Sequence, residues 1–232
     1  VYALSAIRLI FKNLLRMYRD IKDEEARTEM AKASCIAGFA FENYEHVTSV
    51  TIPNSVEHIE DGAFYGCSGL TSVTLPANLT KISSKAFYGC KNLVHADASA
   101  VTHLTEIGDW AFSLCQKLEQ APITNTVTKI GFQAFWQTGI TEPIFPSSLT
   151  TIGDMAFSRC PNITHISVPS SVTNLGKGVF SVCLGLTDAT LPANMTSVPA
   201  DLFSGCKKLV HCNLSPNLTS IGDGAFRDCE KL

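Results

Sequence analysis

Apolar and polar residues alternate along most of this chain in one repeated phrase of about 23 residues. The phrase reads Ile-x-x-x-Ala-Phe-x-x-Cys-x-x-Leu-x-x-Val-x-Leu-Pro, and successive copies begin 22 to 25 residues apart. Its phenylalanines are Phe41, Phe64, Phe87, Phe112, Phe135, Phe157, Phe180, Phe203 and Phe226. A fixed period between 20 and 50 residues is typical of solenoids, propellers and arrays.

A single phrase predicts two short strands and a compact turn. Residues 70–75 alternate apolar and polar side chains around Val73, which predicts a strand that Pro76 ends. Residues 79–82 form a second extended piece. Residues 83–90 carry Ala, Phe and Cys at a spacing that predicts one or two helical turns with a buried side.

Stacking of the copies would bring equivalent residues together in columns. Neighbouring strands would lie ~4.8 Å apart and form a parallel sheet. The bulkier Phe-bearing turns would lie on the other side, so we expect a curved stack with the strands on its inner side. Besides the phenylalanines, two further columns are apolar, and their members include Ile59, Ile82, Ile107, Leu70, Leu93 and Leu118.

The phrase resembles the BspA-like class of leucine-rich repeats over residues 36–232. Ile-Gly-x-x-Ala-Phe-x-x-Cys recurs nearly intact at residues 107–115, 152–160 and 221–229. The resemblance implies a right-handed, β-rich α/β leucine-rich repeat solenoid of protein-binding type, here with about nine coils of ~23 residues. It implies no catalytic residues. We therefore place the solenoid at 35–232 and expect it to continue beyond Leu232.

Residues 1–34 follow a different pattern. Apolar residues spaced by three and four predict an amphipathic helix whose other faces are basic. The segment would cap the open end of the solenoid, dock a partner, or lie on a membrane surface through residues 4–22. The apolar stripe consists of Leu4, Ile7, Phe11, Leu14, Tyr18 and Ile21.

Composition and charge exclude few classes of function. The chain is 45% hydrophobic and 17% charged, which is typical of a globular protein. Its formal net charge of −3 gives no indication of a nucleic-acid partner. No apolar stretch reaches the roughly 20 residues that a transmembrane helix needs.

The cysteines and several asparagines occupy repeated positions. Seven of nine cysteines share one column, which predicts either small buried thiols or a metal or disulfide site. Free thiols would favour an intracellular location, which otherwise stays open. Five Asn-x-Ser/Thr sequences begin at Asn78, Asn162, Asn194, Asn213 and Asn217. They would accept glycans if the protein follows a eukaryotic secretory route. The alternative is that the turn itself requires asparagine.

Each copy of the phrase has two strands, and one position of the first strand supplies a candidate site. It is the third position when the core leucine, such as Leu70, is counted as the first. His165, Asp188 and His211 follow one another in this column, and Glu142 precedes them. Side chains ~5 Å apart on neighbouring strands could form a weak metal site or a pH-dependent contact surface. The alternative is a solvated polar face.

The copy that contains Phe135 departs most from the phrase and supplies the other candidate site. Phe132 and Trp136 replace smaller residues, Ile144 replaces a polar strand residue, and the turn at Thr138 is one residue shorter. Together with Trp110 in the preceding copy, these side chains form a possible contact patch, because aromatic residues dominate binding hot spots. The alternative is local repacking, in which Phe132 and Trp136 cover each other.

These observations predict a non-enzymatic protein-binding module without a cofactor. A recognition or scaffold element, or an accessory subunit of a larger assembly, fits a long solenoid that encloses no substrate. A cell-surface adhesin-type module is the alternative. The partner would be a protein; neither nucleic acid nor a membrane-spanning segment is expected.

Overall fold

A computed structural model describes residues 48–232 of the chain. The helix predicted within residues 1–34 and the first copy of the phrase, up to residue 47, lie outside the described residues. Within 48–232 the chain is a parallel β-solenoid of eight coils, which confirms the predicted leucine-rich repeat architecture in this part of the chain.

Fourteen short strands form the part of the solenoid within residues 48–232. The longer ones are β1 (Ser49–Thr51), β3 (Ser72–Thr74), β5 (His95–Asp97), β9 (His165–Ser167), β11 (Asp188–Thr190) and β13 (His211–Asn213). The two-residue strands are β2 (His58–Ile59), β4 (Lys81–Ile82), β6 (Glu106–Ile107), β7 (Lys129–Ile130), β8 (Thr151–Ile152), β10 (Asn174–Leu175), β12 (Ser197–Val198) and β14 (Ser220–Ile221). Every strand pairs in parallel with the equivalent strand of a neighbouring coil.

The pairing aligns equivalent positions of the phrase, as the sequence predicts. In the first ladder, formed by the three-residue strands, Asp188 pairs with His165 on one side and His211 on the other. In the second ladder, formed by the two-residue strands, Ile82 pairs with Ile59 and Ile107. A shift of one residue would turn every core side chain outward, so the apolar column fixes this register.

The phenylalanines form one continuous stack in the core. From Phe64 to Phe226, neighbouring ring centroids lie 5.0 to 6.0 Å apart with nearly parallel planes. Six of the eight rings are fully buried. Each coil therefore buries its largest side chain only against the coils next to it, which is the defining property of a solenoid.

The segment between the second strand and the Cys is a series of turns, so the predicted helical turns over 83–90 are wrong. The backbone N–H groups of Lys85, Phe87 and Gly89 donate to carbonyls of the next coil, at 2.7 to 2.9 Å. A helix would keep these hydrogen bonds within its own segment. Each coil also holds two residues with φ between 49° and 77°, a left-handed conformation that interrupts a helix.

The first ladder is interrupted over two consecutive coils. Between β5 and β9, residues 120–122 and 142–144 occupy the equivalent positions without forming strands. Pro122 and Pro143 stand in these two segments, and proline has no N–H to donate to a ladder. The interruption therefore has a direct cause in the sequence.

The shortened turn in the coil of Phe135 depends on a glycine. Gly139 is buried, and a Cβ placed there would lie 2.5 Å from the carbonyl oxygen of Gln116. We expect Gly139→Ala to lower the free energy of unfolding by about 1–3 kcal/mol, because the clash is with backbone that cannot rotate away. Chemical denaturation measures the loss. The exposed neighbour Gln116→Ala serves as control and should change stability by less than about 0.5 kcal/mol; equal effects would contradict this packing.

Candidate functional site

The first ladder and its two interrupted coils present one outward surface, which we call the strand face. Its members are the first and third residues of each three-residue strand and their equivalents in the interrupted coils. Most of these side chains are exposed, because the middle residue of each strand is the one that points into the core. They are Ser49, Thr51, Ser72, Thr74, His95, Asp97, Gln120, Pro122, Glu142, Ile144, His165, Ser167, Asp188, Thr190, His211 and Asn213.

A groove of about 480 Å³ lies on the strand face and contains the predicted polar cluster. His165 Nε2 lies 3.2 Å from Asp188 Oδ2, and the same oxygen accepts a 2.6 Å hydrogen bond from Thr187 Oγ1. His211 is the register partner of Asp188 on the other side, and Glu142 lines the same groove. The structure thus brings together all four residues of the predicted column.

An exposed apolar side chain lies at one end of this groove. Ile144 is 76% exposed, the highest value among the large hydrophobic residues that the structure describes. The next residue, Phe145, turns into the core, where its ring lies edge-on to Phe157 at 5.4 Å. Because Phe145 and Pro143 hold the segment on either side, Ile144 is fixed in a solvent-facing position.

A second groove of about 640 Å³ lies beside the first, over the β5 coil and the coil that follows it. Small apolar residues, including Ala96, Ala98 and Ala121, line it together with Pro122 and Ile123. Sequence reasoning missed both grooves. Proline at a strand position was the available signal, since it marks the coils in which the ladder opens.

The tryptophan cluster lies on the turns, away from the strand face. The indole of Trp110 contacts Phe132 edge-on at 4.9 Å, donates from Nε1 to Gln133 at 2.8 Å, and lies 5.1 Å below Lys85 Nζ. Trp110, Phe132 and Trp136 are each half-buried. The ring that covers Phe132 is therefore Trp110, and the cluster is not contiguous with the groove that holds Ile144.

The cysteine column consists of buried thiols that hydrogen-bond to the neighbouring coil. Each Sγ, from Cys90 onward, donates to a phenylalanine carbonyl at 3.0 to 3.3 Å. Burial raises the pKa of Cys160 to about 11 and that of Cys206 to about 12, so these thiols stay protonated at neutral pH. No disulfide joins two cysteines of residues 48–232, and six of the seven column cysteines are buried while Cys229 is half-buried, which confirms the buried-thiol interpretation there.

The asparagines of the five glycan-acceptor sequences all hydrogen-bond through their amide groups to the preceding coil. The amides of Asn78, Asn194 and Asn217, which share one turn position, donate to backbone carbonyls at 2.9 to 3.2 Å. Those of Asn162 and Asn213 donate to Gly139 and Thr190. These asparagine side chains thus have a structural role in joining neighbouring coils, which supports the interpretation that the turn uses them.

Comparison with known families assigns the repeat. A family model for BspA type leucine rich repeat regions matches residues 34–163 and 128–232 with six copies. The chain belongs to the BspA type leucine rich repeat family. The sequence-based identification of the repeat is therefore confirmed.

Solved structures of leucine rich repeat proteins resemble the chain. A leucine rich repeat protein from T. pallidum (TpLRR) shares 28% identity over 79% of this chain and 77% of that one, with a TM-score of 0.58. A leucine rich cell surface protein from Faecalibacterium prausnitzii A2-165 shares 24% identity over 83% and 73%, with a TM-score of 0.37. No curated protein sequence matches the chain.

The described BspA-type coils present an open surface that could contact a partner. In the described part of the chain, no three His, Cys, Asp or Glu residues are arranged to hold a metal ion, so the weak metal site considered for His165, Asp188 and His211 gains no support. Residues 48–232 include no helix that is long and apolar enough to cross a membrane. Leucine-rich repeats of this kind typically serve as non-enzymatic interaction modules.

Proposed function

We propose that this BspA-type solenoid binds a protein partner through its strand face, as a recognition or scaffold element or an accessory subunit of a larger assembly. The observation that carries the proposal is the exposed Ile144 beside the polar groove of His165, Asp188 and His211. An apolar anchor surrounded by polar side chains is the usual anatomy of a binding hot spot.

Two properties of the strand face support this role over a purely structural one. Strand backbone sets most of these side chains, and Ile144, which lies outside a strand, is held between Pro143 and Phe145. Their spacing is therefore rigid, and the surface loses little entropy on binding. In addition, an isoleucine that is 76% exposed contributes nothing to the core of this chain. Burial against a partner would recover the stabilisation, about 1.5–3 kcal/mol, that a buried isoleucine provides.

The tryptophan cluster is a second candidate surface for the same function. Trp110, Phe132 and Trp136 keep part of their ring area exposed, although contacts with Lys85 and Gln133 hold Trp110 in place. A cell-surface adhesin would use either surface in the same manner. Glycans on Asn78, Asn194 or Asn217 in native material would favour that setting.

Affinity capture with matched variants tests the proposal. We expect Ile144→Ser to reduce the specifically captured protein from native extract by about tenfold or more, because loss of a hot-spot contact costs at least 1–2 kcal/mol. Leu184→Ser removes a 43% exposed apolar residue outside the strand face and should leave capture unchanged. A melting curve for each variant confirms that the solenoid is intact.

The outcome separates the candidates. If Ile144→Ser captures as well as the wild type while Trp110→Ala with Trp136→Ala does not, the binding surface is the tryptophan cluster. If no protein is captured above the background of an unrelated solenoid, the binding function itself is contradicted.

A further inference from the structure

The strand face carries acidic and imidazole groups and no permanent cation. Its charged residues are Asp97, Glu142 and Asp188, which give −3 when the histidines are neutral. All eleven Lys and Arg residues of the described chain lie elsewhere, on the second ladder and the turns. Glu119, next to the face, adds another carboxylate.

In the second ladder, by contrast, lysines of neighbouring strands neutralise a carboxylate. There Lys81 and Lys129 flank Glu106 at 3.2 and 3.0 Å. Although partial burial alone would raise the pKa of Glu106, hydrogen bonds from Lys129 and Lys81 bring it below its usual value. The carboxylates of the strand face have no such lysine or arginine partner within the described chain.

The face also has a defined length and one apolar position. From the coil of Asp97 to that of Asn213 there are five steps of ~4.8 Å, or ~24 Å. An extended chain advances ~3.3 Å per residue, so about seven residues would span this distance along the stack. Ile144 lies between Asp97 and Asp188 in this row of coils and offers contact to one apolar side chain.

We propose that the strand face takes an extended, basic segment of a partner protein, with Lys or Arg side chains on its carboxylates and an apolar side chain on Ile144. This inference rests on the proposed function and names the partner's chemistry. Complementary charge selects the partner and sets its orientation, while the apolar contact supplies the larger part of the affinity.

The three histidines make this binding dependent on pH. His165 faces Asp188 at 3.2 Å and has Glu142 in the coil before it; His211 has Asp188 beside it. His95 lies between Ser72 and Gln120 in the same column, two residues before Asp97. Histidine is the side chain that gains charge between pH 8 and pH 5. Protonation of all three changes the net charge of the strand face from −3 to zero. The protonated imidazoles then pair with the carboxylates that a basic segment would bind. Binding of such a segment therefore weakens on acidification.

Selection from a library of 12-residue peptides displayed on phage, at pH 7.5 and low salt, tests the inference. We expect the enriched peptides to carry more Lys and Arg than the library and an apolar residue between them. For a synthetic enriched peptide without His, the dissociation constant should rise by about tenfold between pH 7.5 and 5.5, the effect of one to two kcal/mol of lost charge attraction.

Variants with matched charge identify the surface. Glu142→Gln with Asp188→Asn removes two carboxylates from the strand face and should weaken the peptide by about tenfold. Glu60→Gln with Glu230→Gln makes the same change in net charge on the turns and should have little effect. His165→Gln with His211→Gln should reduce the pH dependence while keeping the affinity at pH 7.5 within about threefold.

Each result bears on one of the two proposals. Enriched peptides that are neutral or acidic, or basic peptides that bind both carboxylate variants equally, would overturn the inference and leave the protein-binding function standing. The same holds for binding that is independent of pH. Failure to enrich any peptide, together with a negative capture experiment, would count against the function as well.

Discussion

Replacing Phe135 by alanine should be among the most destabilising single substitutions in the described solenoid. The ring is fully buried and stacks on Phe112 at 5.5 Å and on Phe157 at 5.1 Å. Removing it leaves a cavity that rigid neighbouring coils cannot fill, so we expect the free energy of unfolding to fall by about 3–5 kcal/mol. Chemical denaturation followed by circular dichroism measures this change.

The same substitution at the last ring of the stack provides the control. Phe226 is only partly buried and, among the described rings, stacks on Phe203 alone at 5.6 Å. Phe226→Ala should therefore cost less than half as much as Phe135→Ala. Because each coil contacts only its neighbours, the central variant should also broaden or split the unfolding transition. Equal, small losses at both positions would contradict a continuous aromatic core.

The buried cysteine column should make the protein sensitive to alkaline pH. The folded-state pKa of Cys160 is about 11 and that of Cys206 about 12, whereas an exposed thiol has a value of 9.0. Below pH 9 the thiols are protonated in both states and leave stability unchanged. Above pH 9 the unfolded state loses protons that the folded state keeps, so stability falls until the folded-state pKa is passed, by about 1.4 kcal/mol per pH unit for each thiol.

Denaturant unfolding at pH 8, 9, 10 and 11 measures this slope. Cys206→Ala removes one of the titrating groups and should reduce the slope by about 1.4 kcal/mol per pH unit above pH 9, although it also lowers stability at pH 8. Glu119→Gln changes an exposed carboxylate that pairs with no Lys or Arg within the described residues, and it should leave the slope as it is. A stability that stays constant from pH 8 to 11 would show that the thiols are not buried.

The stacking of the solenoid could be predicted from the sequence alone, because the copies of the phrase can be compared with one another. Each copy confirms which positions are apolar, and the columns of Phe, Ile and Leu then follow from stacking alone. The polar column of Glu142, His165, Asp188 and His211 was likewise predictable, because strand residues alternate between core and surface. The structure places these four residues around one groove.

The conformation of the turns was not predictable from the same pattern. Ala86, Phe87 and Cys90 have a spacing that both a helical turn and a series of tight turns satisfy. The choice depends on hydrogen bonds between coils, such as Phe87 N–H to the carbonyl of Ala111, which no single copy reveals. Non-glycine residues in the left-handed conformation, including Lys85 and Trp110, are also tolerated here only because the neighbouring coils hold them.

The two grooves were missed because they arise where the ladder stops. In the sequence, Pro143 differs from the phrase no more than many other residues do. Its meaning becomes clear only together with Pro122 in the preceding coil, because both coils then lack a strand in the first ladder. The tryptophan cluster illustrates the opposite limit. Sequence placed Trp110, Phe132 and Ile144 in one patch, whereas the structure assigns the first two to the turns and Ile144 to the strand face.

The alignment of equivalent residues in adjacent coils supports every one of these conclusions, and cross-linking tests it most directly. Ser167 and Thr190 are register partners in neighbouring strands, whereas Asn213 lies one coil further on. With cysteine at both Ser167 and Thr190, we expect mild oxidation to give a disulfide between the two positions, identified by peptide mass spectrometry, since ~4.8 Å separates such strands. Cysteines at Ser167 and Asn213, ~10 Å apart, should not cross-link. A disulfide in the second pair and none in the first would contradict the stacking.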